Sequence, residues 1–298
     1  MERIDLDEGL SFSRIVYGMW RIKDGDEDTS IPHVRAKIDA CLAQGITTID
    51  QADIYGDYGA EAVLGAVLKD ARSLRDQIQI VTKCDIVAPI GIHSDKPIKY
   101  YDTSAAYISQ ATERSLKELS IEQIDVLLIH RPDPFMDADE TGKVLDRLVD
   151  EGKVKAVGVS NFRPWDIELL QSRMDTPLLT NQIEISVMET ASLTNGDLAY
   201  AQQHRMPLMA WSPLGGGRLF DDSNKALADV LNRIANEQSV EISAVAVAWL
   251  LAHPAQIMPV MGTNNLDRIA ALGDAMKVKM DRITWFEIYS ASIGNEVP

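Results

Sequence analysis

The sequence has little cysteine and no long apolar run, and each shortage excludes a class of protein. Cys41 and Cys84 are the only cysteines among 298 residues, which is too few for a disulfide framework and indicates a reducing compartment. No stretch approaches the roughly 18 consecutive apolar residues of a transmembrane helix. The N-terminal segment Met1–Asp5 has no apolar core of the signal-peptide type. These absences predict a cytoplasmic protein.

Basic residues are also scarce, because 29 Lys and Arg oppose 45 Asp and Glu and give a formal net charge of −16. Nucleic acids and anionic membranes need a basic surface, so the sequence excludes both as partners. An anionic cofactor stays possible if backbone amides and one or two arginines supply local positive potential. His33, His93, His204 and His253 show no metal-ligand spacing, so no metal is expected. A monomer is the default prediction.

Short β-rich runs alternate with longer amphipathic segments along most of the chain. Strands that are nearly all apolar, separated by helix-length segments, indicate a parallel sheet covered on both faces. The predicted strands are Val16–Trp20, Thr47–Asp50, Ile78–Lys83, Asp125–His130, Val154–Ser160, Leu179–Ile185, Leu208–Ser212 and Gln256–Met261. A count of eight favours an α/β fold closed into a (β/α)8 TIM barrel over an open doubly wound sheet.

The remaining segments complete this barrel. The predicted helices are Pro32–Gln44, Glu61–Lys69, Ser104–Leu119, Asp139–Glu151, Pro164–Arg173, Asn195–His204 and Asn224–Glu237, with Ser243–Ala252 as an extra helix before the last strand. An N-terminal hairpin of Ile4–Leu6 and Ser11–Ile15 is expected to cover the barrel bottom. No low-complexity linker divides the chain, so residues 1–298 are predicted to form one domain.

Polar side chains follow three of the predicted strands at the point where each ends. Asp50, Lys83 and His130 come directly after apolar runs, and Tyr55 follows Asp50 by five residues. Barrel enzymes place their sites at the carboxyl ends of the strands, so these four side chains are expected to lie close together.

These four groups suit the reduction of an aldehyde or ketone. An ammonium favours a phenolate, so Lys83, held by Asp50, is expected to lower the pKa of Tyr55 from about 10. Tyr55 would then protonate the carbonyl oxygen, and His130 would donate to it from another side. Side chains provide no hydride, so the reaction needs a nicotinamide cofactor.

Polar residues and glycines also lie at the ends of the later strands. They occur in Ser160-Asn161, at Gln182, in Trp211-Ser212 and in Gly262-Thr263-Asn264. Any one such residue would mean little by itself. A set drawn from seven of the eight strands is hard to explain as structure alone.

Taken together, these segments resemble the signatures of the aldo-keto reductases, in particular their bacterial NADPH-dependent oxidoreductase branch. The similarity covers nearly the whole chain in order, and jointly its motifs are highly specific. The motifs are Asp50-Gln51-Ala52-Asp53-Ile54-Tyr55-Gly56, Val81-Thr82-Lys83, Leu128-Ile129-His130-Arg131-Pro132, Gly152-Lys153-Val154 followed after three residues by Gly158-Val159-Ser160-Asn161-Phe162, Asn181-Gln182-Ile183-Glu184, Trp211-Ser212-Pro213-Leu214-Gly215-Gly216-Gly217 and Pro259-Val260-Met261-Gly262-Thr263-Asn264.

The resemblance implies an NADPH-dependent carbonyl reductase and a role for each matched position. Tyr55 would be the proton donor, Lys83 and Asp50 its tuning pair, and His130 the residue that orients the carbonyl. The residues implied to contact the nicotinamide carboxamide are Ser160, Asn161 and Gln182, and Trp211 would stack on the nicotinamide ring. The residues implied to surround the pyrophosphate are Ser212, Pro213, Leu214, Gly215 and Gly217. Those implied to lie at the 2′-phosphate are Gly262, Thr263, Asn264 and Arg268. The chain departs from the family pattern at Ala271-Leu272, where relatives often have a Glu-Asn pair.

The substrate pocket is expected to be formed by residues 19–24, 84–103 and 213–223, with Trp20 as a contact to a small carbonyl substrate. Two other functions stay open on the residues alone. Lys83 could form a Schiff base in a barrel aldolase. The chain could also be a binding module that senses the cofactor ratio while docked to another protein.

Overall fold

A computed structural model describes residues 1–221 and 224–297. The strands are β1 (Arg3–Asp7), β2 (Leu10–Ser13), β3 (Val16–Gly18), β4 (Thr48–Asp50), β5 (Gln79–Cys84), β6 (Ile86–Val87), β7 (Tyr100–Tyr101), β8 (Ile124–Ile129), β9 (Val154–Ser160), β10 (Leu178–Glu184), β11 (Leu208–Trp211) and β12 (Met258–Met261). Eight of them close into a parallel barrel in the order β10-β11-β12-β3-β4-β5-β8-β9. The predicted (β/α)8 fold is confirmed.

Helices separate the barrel strands and cover their outer face. They are α1 (Ile31–Leu42), α2 (Tyr55–Tyr58), α3 (Ala60–Asp70), α4 (Ala105–Leu119), α5 (Ala138–Asp150), α6 (Pro164–Gln171), α7 (Asp197–Gln203), α8 (Lys225–Gln238), α9 (Ile242–Leu251), α10 (Leu266–Ala270) and α11 (Arg282–Ile293). Local sequence explains their starts: Asp137, for example, accepts hydrogen bonds from the backbone N–H groups of Asp139 and Glu140 at the beginning of α5.

All eight predicted barrel strands are present, and their ends differ from the predicted ones by two residues at most. The prediction for the first strand was too long. The strand β3 ends at Gly18 and Trp20 lies beyond it, 57% exposed. The observed ends differ from the predicted ones because a strand ends where its backbone hydrogen bonds to the neighbouring strands stop. The length of an apolar run does not show where that is.

The N-terminal hairpin covers the amino-terminal end of the barrel, as predicted. The strands β1 and β2 pair antiparallel, and the side chain of Arg3 donates to Thr47 Oγ1, 2.7 Å away, at the start of β4. Phe12 is fully buried and joins the apolar side chains inside the barrel. The hairpin therefore closes the barrel on the side opposite the carboxyl ends of the strands.

Extra helices lie near the C-terminus, as predicted, although the sequence pattern indicated the position of α9 alone. The helix α11 packs on α9 through Trp285 and Trp249, whose rings stack at 4.8 Å and whose indole N–H groups donate to each other's backbone carbonyls. Ile288 is the one residue of α11 that is buried. A helix that buries so little shows no clear apolar stripe in its sequence, so the position of α11 was not predicted.

Two long connections follow β5 and β11 at the carboxyl ends of the strands. The segment 84–103 contains the short antiparallel pair β6 and β7, which the sequence did not predict. The last two residues of the predicted loop 213–223, and residue 298 of the predicted single domain, lie outside the described residues. That the chain forms a single domain stays a prediction. In the part of the chain that the structure describes, no helix has the length and apolar character needed to cross a membrane.

Candidate active site

Asp50 and Lys83 meet at the carboxyl ends of two neighbouring strands. The strands β4 and β5 pair in parallel, with Asp50 opposite Val81, which puts Lys83 at the rim beside Asp50. The Lys83 side chain is fully buried, and its Nζ donates to Asp50 Oδ1 at 2.7 Å and to the backbone carbonyl of Gln51 at 2.8 Å. A buried ammonium needs such partners, because an unpaired charge there is costly.

Tyr55 joins this pair from the loop after β4. Lys83 Nζ donates to Tyr55 Oη at 2.9 Å, and Tyr55 Oη donates to Asp50 Oδ2 at 3.3 Å. The chain turns sharply after Tyr55, since Gly56, Asp57 and Tyr58 have φ of 54°, 56° and 65°. The structure therefore brings the carboxylate, ammonium and phenol together, as the sequence predicted.

The expected lowering of the Tyr55 pKa was wrong in direction. Burial raises the pKa of Tyr55 well above its usual value, the Asp50 carboxylate adds to the rise, and the Arg131 guanidinium opposes it. Burial likewise lowers the pKa of Lys83, while Asp50 raises it. The ammonium is already paired with Asp50, so little net positive charge acts on the phenol. Tyr55 is therefore protonated at neutral pH.

His130 lies across from Tyr55, with the two rings edge to face and their centroids 6.2 Å apart. Burial lowers the pKa of His130 well below its usual value, and the charges of Lys83, Arg131 and Lys99 lower it further. The imidazole is therefore neutral at neutral pH and can donate from one nitrogen only. Among the described residues its Nδ1 has no hydrogen-bond partner.

The four residues predicted to contact the nicotinamide are linked to one another. Asn161 donates to the backbone carbonyl of His130 at 3.1 Å and accepts from the indole N–H of Trp211 at 3.0 Å. Ser160 Oγ donates to the carbonyl of Gln182, and Gln182 Nε2 donates to Asp50 Oδ1 at 2.7 Å. Their side chains therefore connect β9, β10 and β11 to the Asp50–Lys83–Tyr55 group.

The segment Ser212–Gly217 leaves room for close approach to its backbone. Ser212, Gly215, Gly216 and Gly217 all have positive φ, of 49°, 59°, 69° and 103°. A side chain at Gly216 or Gly217 would meet no atom within 4 Å. An anion can therefore lie directly against these glycines. Arg21 donates to the carbonyl of Gly216 at 3.1 Å.

The residues predicted to contact the 2′-phosphate follow β12 in the chain. They differ in their hydrogen bonds to the rest of the protein and in their exposure. Asn264 accepts from Lys37 Nζ at 3.2 Å and donates to the carbonyl of Arg21 at 2.5 Å. The backbone carbonyl of Thr263 accepts from Tyr17 Oη at 3.2 Å. Arg268 is exposed in the middle of the short helix α10. The side chain of Arg268 is therefore open to solvent.

Two residues beside the site were missed by the sequence analysis. The guanidinium of Arg131 lies 6.0 Å from the centroid of the Trp211 ring. Asp85 is buried and accepts from the backbone N–H of Arg131 at 2.9 Å. Arg131 directly follows His130, which is a signal that could have found it. Nothing in the local sequence marks Asp85, because its contact depends on the pairing of β5 with β8.

Comparison with known proteins gives the family. The model of the aldo/keto reductase family matches residues 14–292. The chain belongs to this family. The aldo/keto reductase fold is also seen in a protein from Klebsiella pneumoniae solved in complex with NADP and acetate, with a TM-score of 0.77, 25% identity and coverage of 94% of this chain and 92% of that one.

Closer relatives of this aldo/keto reductase carry a more specific name. A 6-dehydroglucose reductase from Agrobacterium fabrum is 62% identical over 297 residues, which is 100% of both chains. A second 6-dehydroglucose reductase, from Novosphingobium aromaticivorans, is 39% identical over 300 residues, covering 97% of this chain and 95% of that one. The chain is therefore an oxidoreductase of small carbonyl compounds.

Proposed function

We propose that this aldo/keto reductase uses NADPH to reduce an aldehyde or ketone to the alcohol, with Tyr55 as the proton donor. The hydrogen-bonded group of Asp50, Lys83 and Tyr55 opposite His130 supports this role most directly. NADPH supplies the hydride when bound. The side chains of this chain then have to hold the carbonyl and deliver one proton to its oxygen.

The geometry suggests how Tyr55 delivers that proton. Its hydroxyl hydrogen points to Asp50 Oδ2, so it has to rotate away to reach a substrate oxygen. The Lys83 ammonium continues to donate to Tyr55 Oη and stabilises the phenolate that remains. Neutral His130 donates a second hydrogen bond to the carbonyl oxygen, where negative charge develops.

The residues present also fit NADPH. The space beside Gly216 and Gly217 is open, so a pyrophosphate would have room to lie close to their backbone. Ser212, Pro213, Leu214, Gly215 and Gly217 would wrap it, Ser160, Asn161 and Gln182 would hold the nicotinamide amide, and Trp211 would stack on the ring. Gly262, Thr263, Asn264 and Arg268 would face the 2′-phosphate. The Klebsiella relative binds NADP, which is consistent with this choice.

The names of the two relatives suggest the first substrate to test. 6-Dehydroglucose is glucose with an aldehyde at C6, and the relatives are named as reductases of it. Purified protein should oxidise NADPH when given this aldehyde, and a panel of other sugar aldehydes, simple aldehydes and ketones would define the range. Trp20, at the rim beyond β3, is proposed to contact the substrate.

The Tyr55→Phe variant tests the mechanism. It should lose carbonyl reduction by about 1,000-fold, because the proton donor is missing, and should keep its NADPH affinity, measured by quenching of tryptophan fluorescence. Unchanged turnover would contradict the assignment of Tyr55. An aldolase reaction is disfavoured, because Lys83 Nζ already donates to three oxygens, and covalent trapping of substrate on Lys83 by borohydride would reverse that judgement.

A further inference from the structure

Asp85 is a buried carboxylic acid with an unusual backbone conformation, two residues beyond Lys83. It is fully buried and has φ of 112°, a region that favours glycine. Its Oδ1 has no hydrogen-bond partner among the described residues. A strained backbone and a partly unpaired buried carboxyl both destabilise a fold, so a residue that combines them is a candidate for a functional role.

The other oxygen of Asp85 contacts the turn that carries His130. Asp85 Oδ2 accepts from the backbone N–H of Arg131 at 2.9 Å. On the same turn, the N–H of His130 donates to the carbonyl of Cys84 at 3.0 Å, and the carbonyl of His130 accepts from Asn161 Nδ2 at 3.1 Å. The peptide between His130 and Arg131 is thus held at both its carbonyl and its N–H, and the peptide before it is held through the N–H of His130.

These backbone contacts matter because the ring of His130 is not held by its own hydrogen bonds. Within residues 1–221 and 224–297, the hydrogen bonds of His130 are made by its backbone, and its ring packs edge to face on Tyr55. The position of the imidazole therefore depends on the peptide that carries it and on the packing of its ring against Tyr55.

We propose that Asp85 is a positioning residue that fixes the His130–Arg131 peptide and thereby aims the imidazole of His130 at the substrate carbonyl. This proposal rests on the proposed function, in which His130 donates to the carbonyl oxygen. Asp85 lies near the start of the predicted substrate loop 84–103, and its own carbonyl accepts from the N–H of Asp102, near the end of that loop, at 2.8 Å.

Two variants separate the carboxyl from the backbone conformation. Asp85→Gly removes the carboxyl and adopts the positive φ without steric cost, whereas Asp85→Asn keeps an oxygen that can accept from the Arg131 N–H. We expect kcat to fall by about 10-fold to 100-fold in Asp85→Gly and to stay within about threefold of the parent in Asp85→Asn. The NADPH affinity of both variants should be unchanged.

A control variant and a hydrogen-exchange measurement complement the measured values of kcat. Ser239→Gly makes the same kind of change at an exposed residue with φ of 55° at the end of α8, and should leave kcat unchanged. Hydrogen exchange at the Arg131 amide should be slow in the parent and in Asp85→Asn and fast in Asp85→Gly. This exchange measurement does not require turnover.

The proposal is overturned if Asp85→Gly keeps the parent kcat, or if Asp85→Asn loses as much as Asp85→Gly. A double-mutant cycle gives the decisive comparison: in a His130→Ala background, Asp85→Gly should cause little further loss, and independent losses that multiply would contradict a role through His130. If the parent protein reduces no carbonyl, the proposed function fails, while the exchange of the Arg131 amide still tests the contact.

Discussion

At the amino-terminal end of the barrel, the non-glycine residues with left-handed backbone are exposed and mostly end helices, whereas at the opposite end several are buried or half-buried beside the site. Ser120 and Arg205 are exposed, and they lie between α4 and β8 and between α7 and β11. Tyr58 and Asp85 are buried, and Asn161 is half-buried. At helix ends such conformations satisfy terminal carbonyls, but at the site they fix the direction of chemically useful side chains.

Polar groups show the same contrast. Near the hairpin, Ser13 and Thr48 hydrogen-bond each other's backbone, and Arg14 donates to the carbonyls of Leu251 and Ile257. At the other end, Asp53, Asp85 and His130 each have a buried polar atom without a partner in the described chain. The polar groups named at the hairpin end are hydrogen-bonded, while the end with unpaired polar atoms is the one at which we propose that the substrate binds.

The largest effect that would test this contrast is expected from Lys83→Met. It removes the ammonium that contacts Tyr55 Oη and Asp50, so kcat should fall by about 1,000-fold. Lys155→Met is the control, because Lys155 Nζ contacts the carbonyl of Gly9 in the hairpin. A comparable loss of turnover in the control would show that the two ends are not separate in function.

At the hairpin end, Phe12→Ala should affect stability and leave chemistry unchanged. Phe12 is fully buried inside the barrel, so its loss should lower the free energy of unfolding by about 3 kcal/mol, measured by urea denaturation. The kcat of the folded variant should match that of the parent. A drop in kcat at full folding would mean that the hairpin shapes the site.

Asp53→Asn should change how stability depends on pH. Burial raises the pKa of Asp53 to about 8, the Glu61 carboxyl adds to the rise, and Arg114 opposes it. Because this pKa lies above the unfolded value, the folded state binds the proton more tightly, and the contribution to stability is lost as pH rises from about 4 to about 8.

The parent protein should therefore lose stability relative to Asp53→Asn across this window, by up to about 1 kcal/mol per pH unit. Urea denaturation at several pH values would measure the difference between the two proteins. Parallel curves would show that Asp53 keeps an ordinary pKa in the folded protein.

The smallest effect is expected from Arg268→Ala, since Arg268 is exposed and its charge is screened by solvent. NADPH affinity should fall by about fivefold while NADH affinity stays constant, because NADH lacks the 2′-phosphate. Arg173→Ala, another exposed arginine, serves as the control. Equal losses for both cofactors would contradict the 2′-phosphate assignment.

The sequence by itself determined the barrel, and it predicted that the candidate site lies at the carboxyl ends of the strands. Apolar runs predicted every barrel strand to within two residues, because a strand buried on both faces has to be apolar throughout. Asp50, Lys83 and His130 were found from their positions after such runs. These properties are local, so they can be read without knowing which strands are neighbours.

Only the tertiary structure decided the electrostatics and the support of these groups. The predicted lowering of the Tyr55 pKa failed, because burial and the pairing of Lys83 with Asp50 depend on how the strands assemble. The contact between Asp85, just after β5, and the N–H of Arg131, in the turn after β8, is seen only in the folded chain. Charge and hydrogen bonding act through space, and residues far apart in the chain become neighbours only when the barrel closes.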